Sequence, residues 1–165
     1  MKRTETAIIS ALLLFVIGLL PLPVYAHGSN HEEEIQFDPV EKEFGSYRPE
    51  LQITRVIKVE LSDQMRFSPD IIKVNKGDVI KFEHTNTGLI MHEFVLGTAD
   101  SLAEHAEMMK KFPGMEHSEP YMAHVPPGET KSIIWKFSKA GEFAFGCLIP
   151  GHFDAGMKGV VQVGS

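Results

Sequence analysis

The chain has 165 residues, 43% of them hydrophobic and 23% charged, with a formal net charge of −6. That is enough apolar material for one domain with a closed core. The negative sign, with no basic stripe along the chain, argues against a nucleic-acid partner.

Residues 1–26 read as a secretory signal. Lys2 and Arg3 form a positive start, Ile8 to Leu20 an apolar run, and Pro21 and Pro23 interrupt it before Val24-Tyr25-Ala26, a small-residue cleavage pattern. The run is short for a bilayer span, so the expectation is cleavage after Ala26 and no stable membrane insertion afterwards. The pattern fits a bacterial export signal and hence the periplasm. Losing Lys2, Arg3 and Glu5 removes two positive charges and one negative, which takes −6 to −7.

Export sharpens the reading of Cys147, the one cysteine of the chain. Exported proteins normally pair their cysteines, and an unpaired thiol in an oxidising space is exposed to damage. Four readings stand at this point: a small buried hydrophobe, an intermolecular disulfide, a nucleophile, or a metal thiolate.

Residues 27–50 are acidic and polar, with His31-Glu32-Glu33-Glu34 and Glu41-Lys42-Glu43 and no clear periodicity, which predicts a flexible tail. Cleavage would make His27 the N-terminus, whose amine and imidazole form a metal chelate candidate with His31; a solvated tail is the plainer reading. From residue 51 to 165 the pattern is that of one folded domain. Residues 53–61 alternate as a half-buried strand. Residues 65–74 give two short strands split by Pro69, and 75–78 a turn. Residues 79–84 and 91–96 are strands on either side of the Asn86-Thr87-Gly88 turn.

An insertion at about 98–128 interrupts the strands. Residues 99–112 have helical spacing, with Ser101 and Glu104 as a capping box, Lys110 and Lys111 at the C-terminal end and Pro113-Gly114 as the stop. Leu102, His105, Met109 and Phe112 form a core-facing stripe. The same stretch concentrates soft ligands, because His105, Met108 and Met109 share a helix face and Met115, His117, Met122 and His124 follow. Packing accounts for the methionines at the simplest level; a second site for Cu(I) is the sharper reading. Strands follow at 121–125, 130–137, 142–147 and 159–163. Many short strands with Gly/Pro turns and one short helical insertion predict an all-β, β-sandwich fold.

Between the last two strands runs Gly146-Cys147-Leu148-Ile149-Pro150-Gly151-His152-Phe153-Asp154-Ala155-Gly156-Met157. A thiol, an imidazole and a thioether in one short loop suit copper, with a further ligand needed from elsewhere. His92, just after a turn on an earlier strand, is placed to approach the same end of the sandwich. His84 precedes that turn and is the less favoured histidine.

These motifs resemble the cupredoxin family, the small type 1 blue-copper proteins such as plastocyanin and azurin. The resemblance covers roughly Ile53 to Val163. It rests on Phe67-x-Pro69-x-x-Ile72-x-Val74-x-x-Gly77-Asp78, on Met91-His92-Glu93-Phe94, and on Gly141-x-Phe143-x-Phe145-x-Cys147-x4-His152-x4-Met157-x-Gly159. It implies a Greek-key sandwich holding one copper, with His92, Cys147 and His152 as strong ligands and Met157 as a weak axial one. Two features depart from the family. Glu93 stands where Asn often follows the upstream histidine, and the Cys-x4-His-x4-Met spacing is not plastocyanin's. The insertion and the Met/His content look more like cupredoxins associated with periplasmic copper tolerance.

The expected function is therefore one-electron transfer at a mononuclear site, or copper tolerance by sequestering, delivering or oxidising copper. The expected partner is a redox protein or a copper-handling protein. A substrate-converting enzyme is not expected. Gly146 and Leu148 flank Cys147 where multicopper enzymes place histidine, and a dinuclear site needs a second cysteine.

Overall fold

The computed structural model describes residues 37–165 apart from Glu116; the signal-like segment 1–26, His27 and His31 lie outside the described residues. Among the described residues eleven strands and one helix follow in order: β1 Val40–Lys42, β2 Gly45–Tyr47, β3 Arg55–Ser62, β4 Arg66–Ser68, β5 Ile71–Asn75, β6 Val79–Asn86, β7 His92–Gly97, α1 Ala99–Lys111, β8 Met122–Val125, β9 Thr130–Lys136, β10 Gly141–Gly146 and β11 Lys158–Gly164. They form a six-stranded sheet, β1-β2-β9-β6-β3-β4, facing a five-stranded sheet, β5-β11-β10-β7-β8. β3 runs parallel to β6 and β5 parallel to β11, while the other pairs are antiparallel. This is the predicted all-β sandwich.

Alternation decides which side chains enter the space between the sheets. Leu61, Phe67, Phe82, Phe94, Trp135, Phe145 and Val161 are buried there in one cluster. Phe94 stacks on Phe145 at 5.0 Å, and Phe67 meets both rings edge-on. Such contacts add to the area term of burial and lock ring orientations.

β7 departs from alternation, because all six of its residues are buried. Its inward residues join the main core, and Val95 points to the other face. There α1 lays Leu102, Ala106 and Met109 onto Val95, Met122 and Leu148. The helix therefore covers the outer face of the second sheet. The buried helical stripe is Leu102-Ala106-Met109; of the expected stripe His105 is only half-buried and Phe112 is exposed. The capping box also shifts by one turn. Thr98 is the N-cap, its hydroxyl accepting from the Ser101 N–H while the Ser101 hydroxyl accepts from the Thr98 N–H. Thr98 is chosen because β7 ends at Gly97, so the chain must leave the extended conformation there.

The expected flexible tail over 27–50 does not hold for its later part. Val40–Lys42 and Gly45–Tyr47 pair as an antiparallel hairpin, and Ser46 pairs with Lys136 of β9. Phe44 is buried, stacks on Trp135 at 5.2 Å, and its carbonyl accepts the indole N–H at 3.0 Å. One aromatic anchor outweighs the polar composition around it, since a buried Phe is worth several kcal/mol, about 3–5 when truncated.

Candidate metal centre

Register brings the site together. β10 pairs with β7 so that Gly146 faces Val95, and the next residue, Cys147, falls beside Glu93 and Phe94. The Glu93 backbone N–H donates to Cys147 Sγ at 3.3 Å. After Cys147 the chain makes a compact loop. His152 N–H donates to the Ile149 carbonyl, Ala155 N–H to Gly151, and Gly156 N–H to Phe153. Gly151 and Gly156 take φ of +90° and +96°, a left-handed backbone that side chains disfavour. Met157 closes the loop, its N–H donating to the His152 carbonyl and its carbonyl accepting from the Cys147 N–H at 3.0 Å.

The result gathers three of the four expected ligands by their donor atoms. Ring nitrogens of His92 and His152 and Sγ of Cys147 all lie within 4.8 Å of one another. Sγ is 3.3 Å from His152 Nδ1, and the two imidazoles sit 5.2 Å apart at 57°. Met157 is fully buried in the adjoining core and is held by backbone bonds to both loop ligands. His84 is not part of the group; it packs against Phe82 and Phe94, 4.0 Å from the latter ring.

Two acidic residues orient this cluster. Asp63, in the turn after β3, accepts from His92 Nε2 at 3.0 Å. That bond turns Nδ1 inward, where it is buried with no hydrogen-bond partner. Asp63 also accepts the Leu89 N–H, and this bond, ahead of the His92 contact, holds its carboxyl below the usual carboxylate value. Asn86 ties the same approach loop, donating to Ile90 and Val125 carbonyls and accepting from Gly88 N–H. Glu93 is buried, accepts the Leu148 N–H at 3.2 Å, and lies 3.1 Å from His124 Nε2. Glu93 thus tethers the cysteine loop from the position where the family often has Asn, and the β7–β8 register sets His124 beside it. No sequence pattern singled out Asp63, and Asn86 was marked only as part of a turn. For Glu93 the signal was its place directly after His92.

The donor set fits copper on its own chemistry. A buried, unpartnered imidazole nitrogen facing a thiol and a second imidazole costs free energy unless a cation uses it. Burial pushes the Cys147 thiol up to about 12, with the Ile149 and Glu93 amides pulling back. The sulfur is therefore a thiol in the metal-free protein, and a bound cation must displace its proton. Burial, then the neighbouring His92, lowers His152, which keeps its ring neutral and available as a ligand.

Further ties fix the loop from outside. Arg66 donates to the Ala155 carbonyl at 3.1 Å, and Lys110 near the end of α1 meets Asp154 at 2.8 Å. Phe153 packs toward the helix-side cluster under Lys158. The exposed apolar run is Leu89, Ile90 and Met91, directly before His92. The seven second-site candidates separate. Met109 and Met122 are buried in the helix–sheet cluster, His124 joins Glu93, and Met108 and Met115 are exposed. His105 and His117 meet, with ring centres 5.0 Å apart.

Comparison with known proteins gives one family and one fold. A family model described as copper binding proteins, plastocyanin/azurin family, matches residues 54–164. A copper-resistant cuproprotein CopI of Rubrivivax gelatinosus is 44% identical over 137 residues, covering 83% of this chain and 82% of the relative. A CopI of Vibrio cholerae serotype O1 is 36% identical over 135 residues, covering 79% of each chain. Among solved structures, auracyanin B superposes with a TM-score of 0.61 at 20% identity, covering 73% of this chain and 96% of that one. Dithionite-reduced auracyanin from Roseiflexus castenholzii gives 0.59 at 20% identity, over 68% and 98%. These structures share the fold.

Proposed function

The chain belongs to the plastocyanin/azurin family of copper-binding proteins, and from that premise we propose that it is an exported copper-tolerance protein built around one redox-active type 1 copper. In this reading Nδ1 of His92, Sγ of Cys147 and a ring nitrogen of His152 would hold the copper, with the Met157 thioether as a weaker fourth donor. The observation that carries it is the meeting of those three donors within 4.8 Å, beside an imidazole nitrogen that has no other partner. When bound, copper supplies a one-electron couple that a thiolate and two imidazoles accommodate in both oxidation states.

The chain's own residues do the rest. Asp63 presents His92 in one tautomer, with the proton on Nε2. Glu93 and Arg66 hold the loop so that donors stay in place as charge changes. Burial of Cys147 and Met157 keeps water and oxidants from the sulfur. The tolerance role draws support from the copper-resistance relatives, which match over most of both chains. Export draws on residues 1–26, and among the described residues no helix is long and apolar enough to cross a membrane. A second reading, an electron carrier between partners, is favoured by the exposed run Leu89-Ile90-Met91 beside His92, an apolar contact face for a redox or copper-handling protein.

Two measurements test this. The Cu(II) protein should show an intense thiolate-to-copper band that Cys147→Ser abolishes; a colourless protein with bound zinc would sink the centre. A deletion strain should be copper-sensitive and rescued by the wild-type chain but not by Cys147→Ser. Normal growth of that strain on copper would move the assignment to the electron-carrier reading.

A further inference from the structure

His105 and His117 come from different elements yet meet closely. His105 is on α1, and His117 is in the loop that returns from the helix to β8. Their ring centres are 5.0 Å apart at 44°, so they are not stacked flat on each other. His117 Nδ1 is buried and has no hydrogen-bond partner. A buried imidazole nitrogen without a partner costs free energy, and the neighbouring His105 ring does not hydrogen-bond to it. A cation taken between them supplies the missing partner.

The surroundings select which cation. Met108 lies one helical turn beyond His105, within side-chain reach on the same face. Met115 lies two residues before His117. Both methionines are exposed, 44% and 42%, although buried apolar positions were available to Met109 and Met122 in the same segment. Packing therefore accounts for Met109 and Met122 but not for Met108 and Met115. Two imidazoles with one or two thioethers are a soft, low-charge donor set that favours Cu(I) over Zn(II) or Cu(II).

From this geometry we propose a second metal site, distinct from the type 1 centre, in which His105 and His117 bind Cu(I) with a thioether from Met108 or Met115. Its position gives it a use. The helix that carries His105 packs Leu102, Ala106 and Met109 against Leu148, the residue directly after Cys147, so the site lies on the helix side of the Cys147 loop. It is placed to hold copper beside the type 1 centre without entering it.

The test uses the whole exported protein with its type 1 site already filled and reduced. Cu(I) is added without oxygen in competition with a chromophoric Cu(I) chelator. The wild-type protein should hold two equivalents, and His105→Gln/His117→Gln one, with the thiolate-to-copper band unchanged after reoxidation. Met108→Leu/Met115→Leu should weaken the second equivalent roughly 10-fold, the lower end of what losing a supporting partner costs. Cys147→Ser should retain the His105/His117 equivalent, which separates failure here from failure of the type 1 assignment. Ag(I), a diamagnetic stand-in, should shift the His105 and His117 ring signals in NMR spectra, and that readout stands even if the double variant folds poorly. A wild-type protein that holds only one equivalent overturns the proposal. So does a second equivalent that survives His105→Gln/His117→Gln and disappears in His27→Ala/His31→Ala.

Discussion

Two histidines on neighbouring stretches of chain, His84 and His92, are both fully buried, yet they sit in opposite kinds of environment. His84 is enclosed by Phe82 and Phe94, and neither of its ring nitrogens makes a hydrogen bond. His92 has one nitrogen committed to Asp63 and the other turned toward a thiol and a second imidazole. Burial is the same; orientation is not. A metal ligand is made by a partner that fixes the tautomer and by converging donors, not by burial of an imidazole. Desolvation drives His84 down to about 3, and the Lys131 backbone tempers the shift. It is a neutral core residue with a polar ring.

The largest expected effect separates the two directly. His92→Ala should lose Cu(II) binding by more than the ~10–100-fold that loss of an outer partner costs, whereas His84→Phe should bind copper as the wild type does. Equal copper loss in both, measured by competition titration, would erase the distinction. Next comes the partner that orients His92. Asp63→Ala should weaken Cu(II) binding by about 10–100-fold and raise the potential, since a carboxylate on Nε2 strengthens the imidazole as a donor to the oxidised metal. Asp63→Asn keeps an acceptor and should recover most of the affinity; voltammetry with both variants separates charge from positioning.

A smaller change is expected from Met157→Leu, a substitution close in volume in the core beside the centre. Copper should stay bound while the potential and the spectrum move. Complete loss of copper would show that Met157 is a strong ligand. The last effect is read on the His84 side, in acid, on stability and not on copper. Between pH 6.5 and about 3 the unfolded chain binds a proton at His84 and the folded chain does not, so stability falls as pH drops through that window and levels off below it. One proton sets the slope at no more than about 1.4 kcal/mol per pH unit. His84→Phe should flatten that part of the denaturation profile by up to this amount, and an unchanged slope would place the titration elsewhere.

How far the sequence reached can be followed residue by residue. Strand periodicity placed nine of the strands within a few residues, because a half-buried sheet imposes a two-residue alternation that survives in any context. It missed β1 and β2, which depend on Phe44 finding Trp135, a contact across 91 positions that local composition cannot encode. The helix was legible, but its cap and its buried face were not. Both are decided where β7 stops at Gly97 and by which ridge of the helix the second sheet accepts.

The site divides in the same way. The loop from Cys147 to Met157 could be read directly, since its ligand types, glycines and proline are contiguous and their chemistry is local. Preferring His92 to His84 needed only its place after a turn. Asp63, Asn86 and the Glu93–His124 pair belong to tertiary structure alone. Asp63 is 29 positions from the ring it orients, and Glu93 reaches Leu148 across 55. Of the seven soft residues in the insertion, the sequence offered a cluster, and packing divided it. Hydrophobic burial took Met109 and Met122, the sheet register gave His124 to Glu93, and His105 and His117 were left facing each other. Sequence determined the kinds of donor available and the strands that carry them. Only the fold decided which donors converge, because convergence depends on register and on hydrogen-bond partners distant along the chain.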